Sequence, residues 1–337
     1  MKKNQTKKRL FSTVFHILFA VTSLSISACG APKQDKNDAS FKVALLTPGP
    51  ISDQGWNAGA YQGLLRIQDS LGAKTSHIQT KTPAEIEENF RQYGAQGYRL
   101  VFGHGFEFQD PALRVAPEFR NTIYVNVSAV KTDSNVAAIE FNFGDGAYLA
   151  GIVAGTNTRS NIIGVIGGAE FPPVVKAFKA FEAGAKSVNP KITVLSSYIG
   201  NWDDVSAAKE QALAQIARGA DMIFQNADNA GLGVFQAARE SKGKQVRVFG
   251  SNSDQNHIAP EVTLGSVIID LPHAFLLVAK EVHDKTFTPR IITLGAREDV
   301  IRWIPNPALA TEITPATTRL VDSLTTQLRA GTFSIPQ

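Results

Sequence analysis

Two tryptophans stand in matching places along this chain. An indole on each wall of a cleft is a means of gripping a flat heterocycle. Trp56 lies in Ser52-Asp53-Gln54-Gly55-Trp56-Asn57, just after the strand-like run 42–47. Trp202 lies in Gly200-Asn201-Trp202-Asp203-Asp204, just after the run 192–199. Each ring therefore falls on a turn between a strand and a helix, one in each half of the chain. In open parallel sheets, ligands bind at the carboxyl ends of strands. Two such halves facing each other would sandwich a planar ring by stacking. One Trp so placed reads as ordinary packing, whereas two at equivalent junctions read as a ligand site.

Several polar residues accompany the indoles. Asn57 carries both a donor and an acceptor, which suits a purine or pyrimidine edge. Ser52 or Asp53 reads as the cap of the helix that begins there. His104 and Phe106 sit in Gly103-His104-Gly105-Phe106, where glycines let backbone approach a ligand. His104 reads equally as an exposed loop histidine, and Phe106 also as core. Asp228 is a ligand contact or the cap of a helix starting near Ala230, while Asn252 and Asp270 end strands.

No catalytic constellation stands out. His77, His104, His257, His273 and His283 lack metal-ligand spacing, and the single cysteine is Cys29. There is no G-x-x-x-x-G-K-[ST] sequence, so any ATP would be hydrolysed by another subunit. The expectation is a binding protein, not an enzyme, with no cofactor and no metal.

The elements that must position these residues alternate. Strand patterns fall at 42–47, 75–79, 98–102, 122–127, 136–140, 162–166, 192–199, 221–225, 245–250 and 264–269. Helical patterns fall at 55–71, 83–95, 144–157, 172–188, 203–218, 230–242 and 273–285, with a final one at about 315–330. The first helix places Ala60, Tyr61, Leu64, Leu65, Gln68 and Leu71 near one face, and Gly72 can stop it. Pro83 and Pro172 suit first helical turns. Repeated βα units predict an α/β fold with parallel sheets covered by helices. The strands are too many for one sheet, and 126–144 is the expected crossing between two.

Lys2, Lys3, Lys7, Lys8 and Arg9 precede an apolar run from Leu10 to about Leu24, then small residues up to Ala28-Cys29-Gly30. Residues 1–28 thus read as an export signal. Small residues stopping at Cys29 resemble a bacterial lipobox, in which the thiol receives a diacylglyceryl group. A plain signal peptide and a membrane-spanning anchor are the alternatives, although the run is short and broken for a bilayer span. Removing the five basic leader residues turns the formal net charge from +4 to −1, so the high pI carries no sign of nucleic-acid binding. Residues 29–40 read as lipidated Cys29 and a polar, flexible tether. A hydrophobic content of 43% is adequate for two α/β cores without disulfides.

The loops together resemble the basic membrane protein family of substrate-binding lipoproteins, whose best-known members are purine nucleoside receptors of ABC importers. The carriers of the resemblance are Ser52–Asn57, Gly103–Phe106, Gly167-Gly168-Ala169-Glu170-Phe171-Pro172, Phe181-Glu182-Ala183-Gly184 with Val188-Asn189-Pro190, Tyr198–Asp204 and Gly250-Ser251-Asn252-Ser253-Asp254-Gln255. The resemblance implies a type I periplasmic-binding-protein fold, with two Rossmann-like lobes, a three-strand hinge and a cleft that shuts on ligand. It implies a first lobe of 41–141 with 270–286 and a second of 142–269 with 287–337. It also implies an ABC permease and ATPase as partners.

The departures matter too. The family's early Asp falls on Thr47 or Pro48, its Gly-Val-Asp aspartate on Asn252, its late-strand Lys near Ile269 beside Asp270, and the Asp ending its fourth strand near Asn126. Ile269 cannot hydrogen-bond a ribose hydroxyl, and a buried hydroxyl without a partner costs ~1–3 kcal/mol. A flat nitrogen heterocycle is therefore expected more than an intact nucleoside: a nucleobase, a modified nucleoside or a flavin-like ring. The expected protein is a monomeric, extracytoplasmic, lipid-anchored solute receptor of an importer (periplasmic in a Gram-negative cell). The alternatives are a ligand-gated signalling receptor and a riboflavin-type binding protein. A nucleoside hydrolase is disfavoured by the absent Asp cluster.

Overall fold

The computed structural model describes residues 40–241 and 243–336. The expected export signal, Cys29 and all but the last residue of the expected tether lie outside these residues. Among the described residues, no helix is long and apolar enough to cross a membrane.

Short apolar strands and intervening helices build two six-stranded sheets. The first half runs β1 (Lys42–Thr47), α1 (Trp56–Leu71), β2 (Lys74–Gln79), α2 (Pro83–Ala95), β3 (Leu100–His104), α3 (Gln109–Val115), β4 (Ile123–Val127) and β5 (Val136–Phe141). The second runs α4 (Gly144–Asn157), β6 (Ile162–Gly167), α5 (Pro172–Val188), β7 (Thr193–Tyr198), α6 (Val205–Ala217), β8 (Met222–Asn226), α7 (Leu232–Glu240), β9 (Arg247–Asn252) and β10 (Thr263–Ile269). The chain then gives α8 (Leu271–His283) and β11 (Ile291–Leu294), and ends with β12 (Ile301–Pro305) and α9 (Pro315–Ala330). The first sheet has the order β11-β5-β4-β3-β1-β2 and is wholly parallel. The second has the order β12-β10-β9-β8-β6-β7, with only the β10–β12 pair antiparallel.

Central strands of covered parallel sheets are apolar on both faces. Accordingly, Val43, Ala44, Leu45 and Leu46 of β1 are all fully buried. The helix bounds expected at 83–95, 144–157, 172–188 and 315–330 coincide with those observed. Three elements were not anticipated. α3 is only seven residues long, β11 only four, and β12 is an edge strand ending in Pro305.

The crossing between sheets is narrower than the expected 126–144. β5 still belongs to the first sheet, and the chain passes over between Phe141 and Gly144. It returns between Ile269 and Leu271 and passes over a third time between Leu294 and Ile301. β11 pairs with β5, so the first sheet takes in 291–294, a stretch that the resemblance assigned to the second lobe. The buried face of α1 is also rotated from the expected one: Trp56, Asn57, Ala60, Gly63, Leu64 and Ile67 point inward, and Gln68 is exposed. Glycines cause the rotation. Gly59 lies against Leu271 and Gly63 against Phe275, which lets α8 pack onto that side.

The second sheet is covered by the tightest helix pair. A Cβ on Gly151 of α4 would lie 2.0 Å from the carbonyl oxygen of Phe181, and one on Gly184 of α5 would lie 2.0 Å from that of Tyr148. Backbone meets backbone there, and no rotamer change relieves the clash. Gly184→Leu is expected to lose at least ~2 kcal/mol of stability through overpacking. Chemical denaturation checks this, and a loss below ~0.5 kcal/mol would contradict the close crossing.

Candidate functional site

The carboxyl ends of strands from both sheets open onto one shared cleft. Trp56 enters it from the first lobe and Trp202 from the second. Each indole is held from behind. Trp56 stacks on the imidazole of His104 at 3.9 Å between centroids and 21° between planes. Trp202 lies on the bare backbone of Gly168, where a Cβ would come within 2.1 Å of the indole Cε3. Phe171 joins the walls, 6.0 Å from Trp202 and 5.5 Å from Phe106 of the other lobe. Phe141 and Phe143 add apolar surface at the crossing.

The turn that carries Trp56 is built around Asp53. Its carboxylate accepts from the backbone N–H groups of Gly55, Asn57 and Ala58 and from Asn57 Nδ2, at 2.7–3.0 Å. The side chain thus takes up the free donors at the start of α1. Burial pushes this carboxyl up, and the four donors oppose that push.

Polar groups line the cleft beside the rings. Asn226, Asp228 and Asn252 come from the ends of β8 and β9, Ser128 follows β4, and Glu107 follows β3. Asn252 Nδ2 lies 3.4 Å from both Asn226 Oδ1 and Asp228 Oδ1. Ser128, Asp228 and Asn252 have φ of 58°, 49° and 67°. Left-handed backbone at non-glycine residues stores strain, and such strain clusters at ligand sites. Burial pushes the Glu107 carboxyl up to about 7. Asp228 is held well above the usual carboxylate range, first by burial and then by the nearby carboxylates of Asp53, Glu107 and Asp203.

Of the residues expected from sequence, the structure brings Trp56, Phe106, Trp202, Asp228 and Asn252 to the cleft. Thr47, His104 and Asp270 do not line it, for three different reasons. Thr47 donates its hydroxyl to the carbonyl of Gly49 at 2.9 Å and fixes the turn after β1. His104 is fully buried beneath Trp56, and its Nε2 lies 3.0 Å from the Trp56 carbonyl. That carbonyl only accepts, so Nε2 carries the proton. Burial lowers the His104 pKa to about 3, so the ring is neutral. Asp270 accepts from the His273 N–H at 3.0 Å, capping α8, and pairs with Arg302 at 3.3 Å. Asn57 and Asn126 are buried and do not line the cleft. Asn57 Oδ1 and both polar atoms of the Asn126 amide have no hydrogen-bond partner.

Glu107, Ser128, Phe141, Phe143, Phe171 and Asn226 were not singled out as contacts by sequence reasoning. A signal existed for two of them: Glu107 directly follows the glycine-flanked loop, and Phe171 sits within one of the resembling motifs. Among the described residues, no group of His, Cys, Asp and Glu could hold a metal ion.

The two lobes touch around this cleft. Ser253 Oγ donates to the Gly55 carbonyl at 3.0 Å, Gln255 Nε2 donates to the Gln54 carbonyl at 3.3 Å, and Lys81 lies 3.8 Å from Asp203. Two α/β lobes, crossed three times by the chain and meeting over an aromatic cleft, define the type I periplasmic-binding-protein fold. A solute-binding protein of an ABC transporter system from Aeropyrum pernix has the same fold, with a TM-score of 0.80 at 21% identity over 88% of this chain and 94% of that one.

The chain belongs to the basic membrane protein family: the family described as ABC transporter substrate-binding protein PnrA-like matches residues 40–326. It is 30% identical over 300 residues to the ABC transporter nucleoside-binding protein BmpA of Lactococcus lactis, covering 83% of this chain and 85% of that one. It is 28% identical over 268 residues to a purine-binding protein of Brucella abortus, covering 79% and 75%. Proteins of this family are extracytoplasmic substrate-binding components of ABC transporters and not enzymes.

The seat of Trp202 yields a test. Gly168→Ala forces the indole off the backbone and should weaken ligand binding about tenfold, which corresponds to ~1.4 kcal/mol. Titration calorimetry checks this, with circular dichroism confirming the fold. Unchanged affinity would mean that Trp202 is not positioned by Gly168.

Proposed function

We propose that this chain captures a planar nitrogen heterocycle between its two lobes and delivers it to an ABC permease. The ring is a purine nucleobase, a nucleoside or a related compound. The observation that carries this reading is the convergence of Trp56 and Trp202 on one cleft from opposite lobes. Stacking on two indoles suits any flat ring, and Asp228, Asn226 and Asn252 offer donors and acceptors to its polar edge. Closure excludes water, and hydrogen bonds strengthen in the lower local dielectric. The nucleoside- and purine-binding names of two relatives agree with this ligand class.

In this reading the protein works as a monomer, tethered to the membrane by a lipid on Cys29. The permease recognises the closed pair of lobes. Metabolic labelling with a fatty-acid analogue should mark the wild type and not Cys29→Ser. Equal labelling of both would remove the lipid anchor from the proposal.

The ligand itself should appear in native mass spectrometry of the purified protein as a bound heterocycle. Trp56→Ala and Trp202→Ala should each weaken its binding by ~1–3 kcal/mol, the scale of stacking one base on an aromatic side chain. Wild-type affinity in both variants would refute the sandwich.

A further inference from the structure

We infer, taking the cleft to be a heterocycle site as proposed above, that its preferred ligand is a planar cation held between Glu107 and Asp228 and against the two indoles. The charge of the lining carries the inference. Glu107 enters from the first lobe and Asp228 from the second, and they are the only formally charged side chains on the described lining. No Lys, Arg or His among the described residues lines it. Lys81 lies 3.8 Å from Asp203, and the Arg302 terminal nitrogens pair with Asp270 and Asp299.

Helix N-termini do not supply the missing positive charge either. The free donors of α1 are taken by Asp53, and Ala207 N–H of α6 is taken by Asp204 at 2.9 Å. α5 opens with Pro172 and Pro173, which have no N–H to offer an anion. A phosphate would therefore meet two carboxylates and no donor helix. A cation finds the opposite: two carboxylates, and the negative faces of Trp56 and Trp202.

The glycine at 105 is part of the arrangement. Its φ is 151°, and a Cβ there would lie 2.5 Å from Glu107 Oε2. The loop backbone thus makes room for the Glu107 carboxyl. A buried carboxylate and a half-buried one without a counter-ion are costly, and such groups protonate instead. A cationic ring supplies the counter-ion and lets both ionise, whereas a neutral ring does not.

A pH dependence follows. The groups acting on Asp228 are Asp53, Glu107 and Asp203, all raising its pKa, and Asn252 Nδ2, which opposes them. His104 behind Trp56 stays neutral. With Glu107 at about 7, a cation entering near pH 6 must expel a proton. Its affinity should therefore rise with pH between roughly 6 and 8, by up to about tenfold per unit below that value.

The experiment compares matched rings by titration calorimetry on the full chain: 1-methyladenosine with adenosine, and 1-methylnicotinamide with nicotinamide. The cation of a pair should bind at least tenfold more tightly at pH 7.5. At pH 6.5, buffers of different ionisation enthalpy should reveal protons released on binding. Glu107→Gln should shrink the cation-over-neutral ratio by at least tenfold, and the wild-type ratio and proton release stand even if that variant fails to fold. Neutral rings bound as well as or better than the cations in both pairs would overturn the inference and leave the heterocycle reading intact. No binding of any of the four rings would sink both.

Discussion

Everything at this site depends on fixing the plane of each indole. A Trp on a loop has rotamers to spare, and stacking rewards only a ring already in place. Here each indole has a fixed seat. His104 lies face to face behind Trp56 at 3.9 Å, and its Nε2–H is anchored to the Trp56 carbonyl at 3.0 Å. The imidazole itself meets Phe275 edge-on at 5.8 Å, and Phe275 stacks on Phe102 at 4.3 Å. The seat thus runs from the cleft into the core of the first lobe. Trp202 rests instead on the backbone of Gly168, whose N–H donates to the Asn226 carbonyl at 3.0 Å and whose carbonyl accepts from Gly200 at 2.8 Å. A rigid seat on each side means that little rotamer entropy of the two indoles remains to be lost on binding.

The cleft is also where the fold places its local costs. Ser128, Asp228 and Asn252 hold left-handed backbone at or just after strand ends. Glu107 and Asp228 are carboxyls in surroundings that disfavour their charge. Costs of this kind persist when the surrounding structure over-determines them, and here two covered parallel sheets do so. The direct polar ties between the lobes are loop and surface contacts: Ser253 to Gly55, Gln255 and His257 to Gln54, and the ion pairs Lys81–Asp203 and Lys176–Glu140, beside the Phe106–Phe171 ring pair. Three chain crossings and such ties suit a cleft that opens and shuts with its cargo.

The fold was largely legible in the sequence because its signals are periodic. Runs such as Val43–Leu46 and the proline-started helices at 83, 172 and 315 announce themselves through composition and caps. β11 and β12 did not, since one is four residues long and the other an edge strand ending in proline. The face of α1 was misjudged because glycines carry no hydrophobic signal, yet Gly59 and Gly63 decide which side α8 covers. In the site, the two indoles and Asp228 were legible from their place after strands. His104 was misplaced because a histidine in a glycine-flanked loop looks like a ligand contact, and only tertiary packing shows it beneath Trp56. Asp270 and Thr47 were carried over from a family pattern, and their local bonds to His273 and Gly49 use them otherwise. Glu107 was overlooked because one carboxyl in a loop has no periodic mark. Its meaning comes from facing Asp228 across a gap that sequence order does not reveal.

The central claim is that a planar ligand sits between two pre-seated indoles. A crystal structure of the protein with its co-purifying ligand tests this most directly. The account predicts a ring stacked against Trp56 on one side and Trp202 on the other, with His104 and Gly168 still behind them. A ligand lodged elsewhere, or an indole swung away from its seat when the cleft is filled, would contradict it.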